Sequence, residues 1–124
     1  MLFFPAAITL FALPVASLSE GPHGGILKSA DEYYIEMKNN PDTSFYVYLL
    51  DNKLRTISNK DISGEVKLFF SDNTSMDVRL TPSVENSFTA VITPGFYACK
   101  IIFHVSGKDV SAPFEKQSQI ADQK

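Results

Sequence analysis

The chain of 124 residues contains a single cysteine, Cys99, and no tryptophan. One cysteine cannot form an intrachain disulfide, so packing alone must hold the fold together. The missing tryptophan and cysteine pair also exclude the disulfide pin of antibody domains, although not their architecture. Cys99 is two positions from both Tyr97 and Ile101, so the three side chains would lie on the same face of a strand. We therefore predict an inert thiol of the core, with a reactive or metal-binding thiol as the alternative.

The chain also lacks a large excess of either positive or negative charge. The sequence has 11 Lys and Arg against 14 Asp and Glu, and the net charge of −3 is spread over single positions. There is no basic stripe that could bind nucleic acid and no polybasic face for anionic lipid. Both classes of partner are therefore excluded.

Sequence motifs of catalysis are absent as well. The chain has no nucleophile elbow, no phosphate loop, no HExxH and no CxxC. The adjacent carboxylates of Asp31 and Glu32 would point to opposite faces of a strand, which does not favour paired acid–base chemistry. We therefore predict that the protein is not an enzyme.

Residues 1–19 carry no charged side chain and are mostly apolar. Pro5 and Pro14 interrupt this run, which is too broken for the roughly 20 apolar residues of a bilayer span. Small residues fit a signal-peptidase site after Ser17 or Ser19. The pattern predicts a signal peptide at 1–19 and a periplasmic protein with no stable membrane insertion after cleavage. There is no Lys or Arg before the apolar run, so the α-amino group would supply the only positive charge there, unless the true start lies further upstream. A buried N-terminal helix of the mature fold is the alternative.

From residue 33 onward, apolar and polar residues alternate with a period of two in short blocks separated by turn residues. The segment 44–51 is apolar on both faces, which is typical of a central strand covered on both sides. We predict an all-β domain at 20–116, an antiparallel immunoglobulin-like β-sandwich of about seven strands. A small β-barrel is the alternative. Residues 117–124, which have few apolar anchors, are predicted to be a flexible tail.

The segment Gly21-Pro22-His23-Gly24-Gly25 is predicted to be a flexible leader that carries one of only two histidines. After processing, His23 would lie close to the new α-amino group. An amine and an imidazole together can chelate Cu(II), Ni(II) or Zn(II). The alternative is that His23 only fills a loop.

Four further side chains are candidate metal donors. Glu36 and His104 offer oxygen and nitrogen, and the thioethers of Met37 and Met76 favour Cu(I). The simpler interpretation places both methionines in the core, because they are in phase with apolar neighbours. It places Glu36 and His104 on solvated faces.

Several short motifs resemble a family of small exported bacterial domains that are encoded near, or fused to the N-terminus of, periplasmic adaptors of heavy-metal efflux pumps of the resistance-nodulation-division class. These motifs are Pro22-His23-Gly24-Gly25, Tyr34-Ile35-Glu36-Met37, Tyr46-Val47-Tyr48-Leu49-Leu50-Asp51, Gly64-Glu65-Val66, Val105-Ser106-Gly107-Lys108 and Ala112-Pro113-Phe114. The resemblance implies that His23 and Glu36 stand where the family keeps a histidine and an acidic residue. The chain departs from the pattern at Asn52-Lys53-Leu54 and has no Met-rich or His-rich tail, which argues against high metal capacity.

Two functions are therefore expected. The first is a periplasmic, non-enzymatic binding or accessory module for transition-metal homeostasis or heavy-metal efflux. It would bind Cu, Zn or Co and have an efflux adaptor or another envelope protein as partner. Its metal donors would come from His23, Glu36, Met37 and His104. The alternative is a metal-independent interaction module that docks by a sheet edge or face, motivated by aromatic residues on polar faces. These are Tyr34, Tyr46, Tyr48 and Phe69.

Overall fold

A computed structural model describes residues 20–39 and 44–115 of the chain. Over these residues the protein is all-β, with nine strands in two separate antiparallel sheets. The predicted β-sandwich is confirmed, and the small barrel is excluded. The strands are β1 Ile26–Ala30, β2 Tyr33–Asn39, β3 Ser44–Leu50, β4 Ser63–Phe70, β5 Ser75–Arg79, β6 Thr81–Pro82, β7 Phe88–Val91, β8 Phe96–Val105 and β9 Lys108–Glu115.

The order of the strands is that of an immunoglobulin-like sandwich. Sheet A has the order β1-β2-β3-β7-β6, and sheet B has the order β5-β4-β8-β9. Without β1, these orders correspond to strands A-B-E-D and C′-C-F-G of the immunoglobulin fold. β1 is therefore an additional strand at one edge of sheet A.

The core lies between the sheets and contains every second residue of the facing strands. In β8, Cys99, Ile101 and Phe103 are at most 2% exposed, whereas the residues between them face away from the core. Phe88 of sheet A contacts Phe103 of sheet B, with ring centroids 4.9 Å apart and planes tilted by 60°. Burial raises the pKa of the Cys99 thiol to about 12, as expected for a thiol of the core.

The central strand β3 is buried on both faces, as predicted. Val47 and Leu49 point into the main core, and Tyr48 and Leu50 are buried on the opposite, outer face of sheet A. A layer of protein must therefore cover this outer face. That layer contains the leader and the turn that comes after β3.

The structure differs from the sequence predictions at two strands. β1 was not predicted, because Lys28 and Ser29 interrupt its apolar pattern; it joins β2 through a turn in which Asp31 has a φ of 59°. Met76 was predicted to lie in the core but is 42% exposed, because β5 is an edge strand. An alternating pattern does not reveal whether a strand has neighbours on both sides.

The predicted signal peptide at 1–19 and the predicted tail at 117–124 lie outside the described residues. Within the part of the chain that is described, no helix is long and apolar enough to cross a membrane.

Replacing Phe103 by alanine is expected to lower the free energy of unfolding by about 3–5 kcal/mol, because it leaves a cavity between the two sheets. Equilibrium denaturation in urea measures the change. The control is Val84→Ala, at a side chain that is 71% exposed, which should change stability by less than about 0.5 kcal/mol. Equal effects of the two substitutions would contradict the position of the core.

Candidate functional site

The leader is folded over a buried carboxylate. Glu36 lies on the outer face of β2 and is fully buried. Its Oε2 atom accepts hydrogen bonds from the backbone N–H groups of His23 and Gly25, both 2.8 Å long. Gly21 and Gly25 are also joined by a backbone hydrogen bond of 2.9 Å. The predictions of a flexible leader and of a solvated Glu36 are therefore wrong.

The glycines of the leader are required by this arrangement. A Cβ atom on Gly21 would lie 2.3 Å from the carboxyl carbon of Glu36, and one on Gly25 would lie 2.5 Å from the carbonyl oxygen of Met37. Gly24 has a φ of +84°, in the left-handed region that favours glycine. Folding therefore explains why these three positions are glycine.

The imidazole of His23 is held by two contacts. Its ring stacks on Tyr48 with centroids 3.7 Å apart and planes within 6°. Its Nε2 atom lies 2.8 Å from Oγ1 of Thr56. His23 thus joins the leader to β3 and to the segment after β3.

Thr56 is positioned by a compact turn after β3. Oδ1 of Asp51 accepts the backbone N–H groups of Lys53 and Arg55 at 2.9 Å, and Thr56 then forms a bridge to Leu50. The backbone hydrogen bond from Arg55 is the largest of the contacts that lower the pKa of Asp51. Residues 54–57 form no strand, and this bridge is their one β-type pairing.

Tyr48 lies between the leader and the turn before β7. It is 7% exposed, which corrects the expectation of an exposed aromatic residue. Burial raises the pKa of its phenol, and the carboxylate of Glu85 raises it further. Glu85 and Asn86 are both left-handed, with φ of 56° and 63°.

Asn59 clamps the turn that carries Glu85. Its side-chain N–H groups donate to the carbonyl oxygens of Ser83 and Ser87, each at 2.9 Å, and its backbone N–H donates to Oδ1 of Asn86. These contacts hold two non-glycine residues in a conformation that costs of order 1–3 kcal/mol each. Thr56, Asn59 and Glu85 were missed by sequence analysis, because no local pattern marks them.

One polar atom of this cluster has no partner. Among the described residues, Oε1 of Glu36 is the buried side-chain oxygen that accepts no hydrogen bond. An unpaired buried carboxylate oxygen is costly, because it has lost its hydration. The cluster of His23, Glu36, Tyr48 and Thr56, which we term the leader site, therefore has one unused acceptor.

The four predicted metal donors do not converge. His23 and Glu36 are brought together, but the contact between them is made by the backbone of His23. Met37 is 4% exposed and points into the core, on the face of β2 opposite Glu36. His104 lies on sheet B. Within the described ranges, no group of three or more His, Cys, Asp or Glu side chains is arranged to hold a metal.

His104 forms a second polar cluster on the outer face of sheet B. Its Nδ1 lies 2.6 Å from Oδ1 of Asp109, and its Nε2 lies 2.9 Å from Oε1 of Glu65. These hydrogen bonds, with Asp109 contributing most, raise the pKa of the imidazole above its usual 6.5. Because both ring nitrogens are engaged by carboxylates of the same chain, the side chain serves as a cross-strand link.

Comparisons with protein-family models, with curated proteins and with solved structures found no match. The resemblance to the domains associated with efflux adaptors therefore stays a prediction.

Replacing Glu36 by alanine is expected to lower the free energy of unfolding by about 2–4 kcal/mol, because two backbone donors lose a charged acceptor. Amide hydrogen exchange should become faster at His23 and Gly25 in particular. Glu36→Gln, which keeps an acceptor oxygen, should lose less. Glu32→Ala, at an exposed carboxylate in the β1–β2 turn, is the control. Unchanged exchange at both amides in Glu36→Ala would show that the carboxylate does not hold the leader.

The His104 link is expected to stabilise the fold more at low pH than at high pH. Because the pKa is raised in the folded state, the stabilisation is complete below the unfolded value of about 6.5 and is lost as pH rises through the folded pKa. The excess stability of the wild type over His104→Gln in urea should therefore shrink from pH 6 to pH 9. An NMR titration should give a pKa above 6.5 that falls in Asp109→Asn. A pH-independent difference would contradict this interpretation.

Proposed function

We propose that the protein is an exported, non-enzymatic binding module that holds one transition-metal ion at the leader site, within metal homeostasis or heavy-metal efflux. The observation that carries this proposal is the buried and unpaired Oε1 atom of Glu36. A cation would neutralise the carboxylate and fill its free acceptor position. The two backbone hydrogen bonds to Oε2 already fix the orientation of the carboxylate.

His23 supplies the nitrogen donor in this proposal. Ligating histidines usually donate their second ring N–H to an oxygen acceptor, which fixes the tautomer and the ring orientation. Thr56 Oγ1 stands at hydrogen-bond distance from Nε2, so Nδ1 is the nitrogen that would bind the metal. Stacking on Tyr48 restricts the ring further.

Two protein donors fill only part of a coordination sphere. Water, or a donor from a partner such as a periplasmic efflux adaptor, would complete it. Such a site suits the transfer of Cu, Zn or Co better than storage. Met37 lies in the core and His104 lies on the other sheet, so neither side chain reaches this site.

A metal-independent interaction module of the cell envelope is the second candidate. It is favoured by the hydrogen bonds that already engage His23 and Glu36, which give both residues a role in folding. Gene neighbourhood separates the two candidates. An adjacent efflux operon favours the metal module, and adhesin or pilus genes favour the interaction module.

Titration of the chain without residues 1–19 with Cu(II), Cu(I), Zn(II) and Co(II) should shift the NMR resonances of His23 and of the Glu36 carboxylate. His23→Ala and Glu36→Gln should abolish these shifts. Thr56→Val, which removes only the hydrogen bond to the ring, should weaken binding by about tenfold or more.

The matched control is His104→Ala, which removes the other histidine and should leave the affinity unchanged. Acetylation of the N-terminal amine distinguishes the leader site from chelation by the amine and His23. Metal binding at the leader site should survive acetylation, whereas binding that needs the free amine should be lost. Unchanged spectra at millimolar metal, or binding that survives in His23→Ala, would rule out the proposed site.

A further inference from the structure

The described sheets have four edge strands: β1 and β6 in sheet A, and β5 and β9 in sheet B. An edge presents unpaired backbone groups to which another strand can bind. Three edges are obstructed. β6 has two residues and ends in Pro82, β9 contains Pro113, and Ile26 of β1 forms a bridge to Glu20, the residue before the leader. The edge of β5 is regular, exposed and free of proline.

The backbone groups of β5 that face the open edge can be identified. Thr74 and Leu80 pair with β4 through backbone hydrogen bonds of 3.0 Å and 2.9 Å. In an antiparallel ladder every second residue bonds the same neighbour. The alternate residues of β5 therefore direct their N–H and C=O groups outward. These residues are Ser75, Asp77 and Arg79.

The outward residues carry opposite charges. Asp77 and Arg79 are two positions apart, so their side chains lie on the same face of the strand, and both residues are exposed. Asp77 has one exposed ion pair, 3.3 Å to Nζ of Lys67. Val78 lies between them on the other face and is half-buried.

We propose that β5 pairs with β5 of a second copy of this chain, antiparallel and around a twofold axis at Val78. In this register Asp77 of each copy lies opposite Arg79 of the other, so two ion pairs form across the edge. Asp77 and Arg79 both direct backbone groups outward, so each such pair can exchange both hydrogen bonds. The two four-stranded sheets would become one sheet that continues through the dimer.

Charge selects this register over its neighbour. A twofold axis at Asp77 would place the two Asp77 carboxylates directly opposite each other, which destabilises the pairing. An edge that carried charge of one sign would repel a second copy in every register. In the Val78-centred register, Asp77 and Arg79 of one copy attract Arg79 and Asp77 of the other. Charges that served only to prevent strand pairing at this edge would not need this complementary arrangement.

The contact would be weak. In this register only the three residues from Asp77 to Arg79 of each β5 oppose one another, so the pairing buries less than the roughly 1,200–2,000 Å² of a stable interface. Association should therefore depend on concentration, and added salt should weaken it. Analytical ultracentrifugation of the chain without residues 1–19, from about 0.05 to 2 mM and at low and high salt, measures this association.

The decisive experiment is a charge-swap pair. In a dimer of the Asp77→Arg variant, arginine at 77 of each copy lies opposite Arg79 of the other copy. In a dimer of the Arg79→Asp variant, aspartate at 79 of each copy lies opposite Asp77 of the other copy. Each variant alone should self-associate about tenfold more weakly than the wild type, because two attractive pairs become repulsive. A 1:1 mixture of the two variants should recover association, because every pair is again complementary.

Two charge-matched controls lie away from β5. Glu32→Arg and Lys60→Asp make the same changes in charge at other exposed residues and should associate like the wild type. If a charge reversal unfolds the domain, Asp77→Asn and Arg79→Gln replace it, and each should weaken association several-fold. A wild type that stays monomeric at the highest concentration, or a mixture that does not recover association, would overturn the proposal. This outcome is independent of metal binding at the leader site.

Discussion

The buried carboxylate of Glu36 is the interaction on which the outer layer of sheet A depends. Its Oε2 atom binds two backbone N–H groups of the leader, and this places the leader against β2. The leader then carries His23 onto Tyr48, and His23 in turn contacts Thr56. Without an acceptor at this position, the backbone N–H groups of His23 and Gly25 would lose their partner on β2.

This arrangement explains why a strand in a small domain is buried on both faces. The main core covers Val47 and Leu49, and the leader with the 51–56 turn covers Tyr48 and Leu50. The domain therefore has a third, thin layer outside the sandwich. Because that layer consists of turns, its stability comes from specific hydrogen bonds, with less apolar packing than in the main core.

The main architecture could be predicted from the sequence, because alternation in β2, β4 and β8 marks which residues face the core. The environment of Glu36 could not. Its position in β2 alternates with core residues and is typical of a solvated face, and its burial depends on a leader 11 to 13 residues away. The same holds for Glu85, whose left-handed turn is fixed by Asn59 from a distant segment. Local patterns report the face of a strand, and they do not report what covers that face.

The position of Cys99 has a consequence for the redox chemistry of the protein and for experiments on it. With a pKa of about 12 and 2% exposure, the thiol is neither ionised nor reachable in the folded domain. Disulfide exchange at Cys99 is therefore expected to require opening of the sandwich. Alkylation of this cysteine would report only molecules whose sandwich has opened. Cys99 can therefore serve as an intrinsic probe of unfolding.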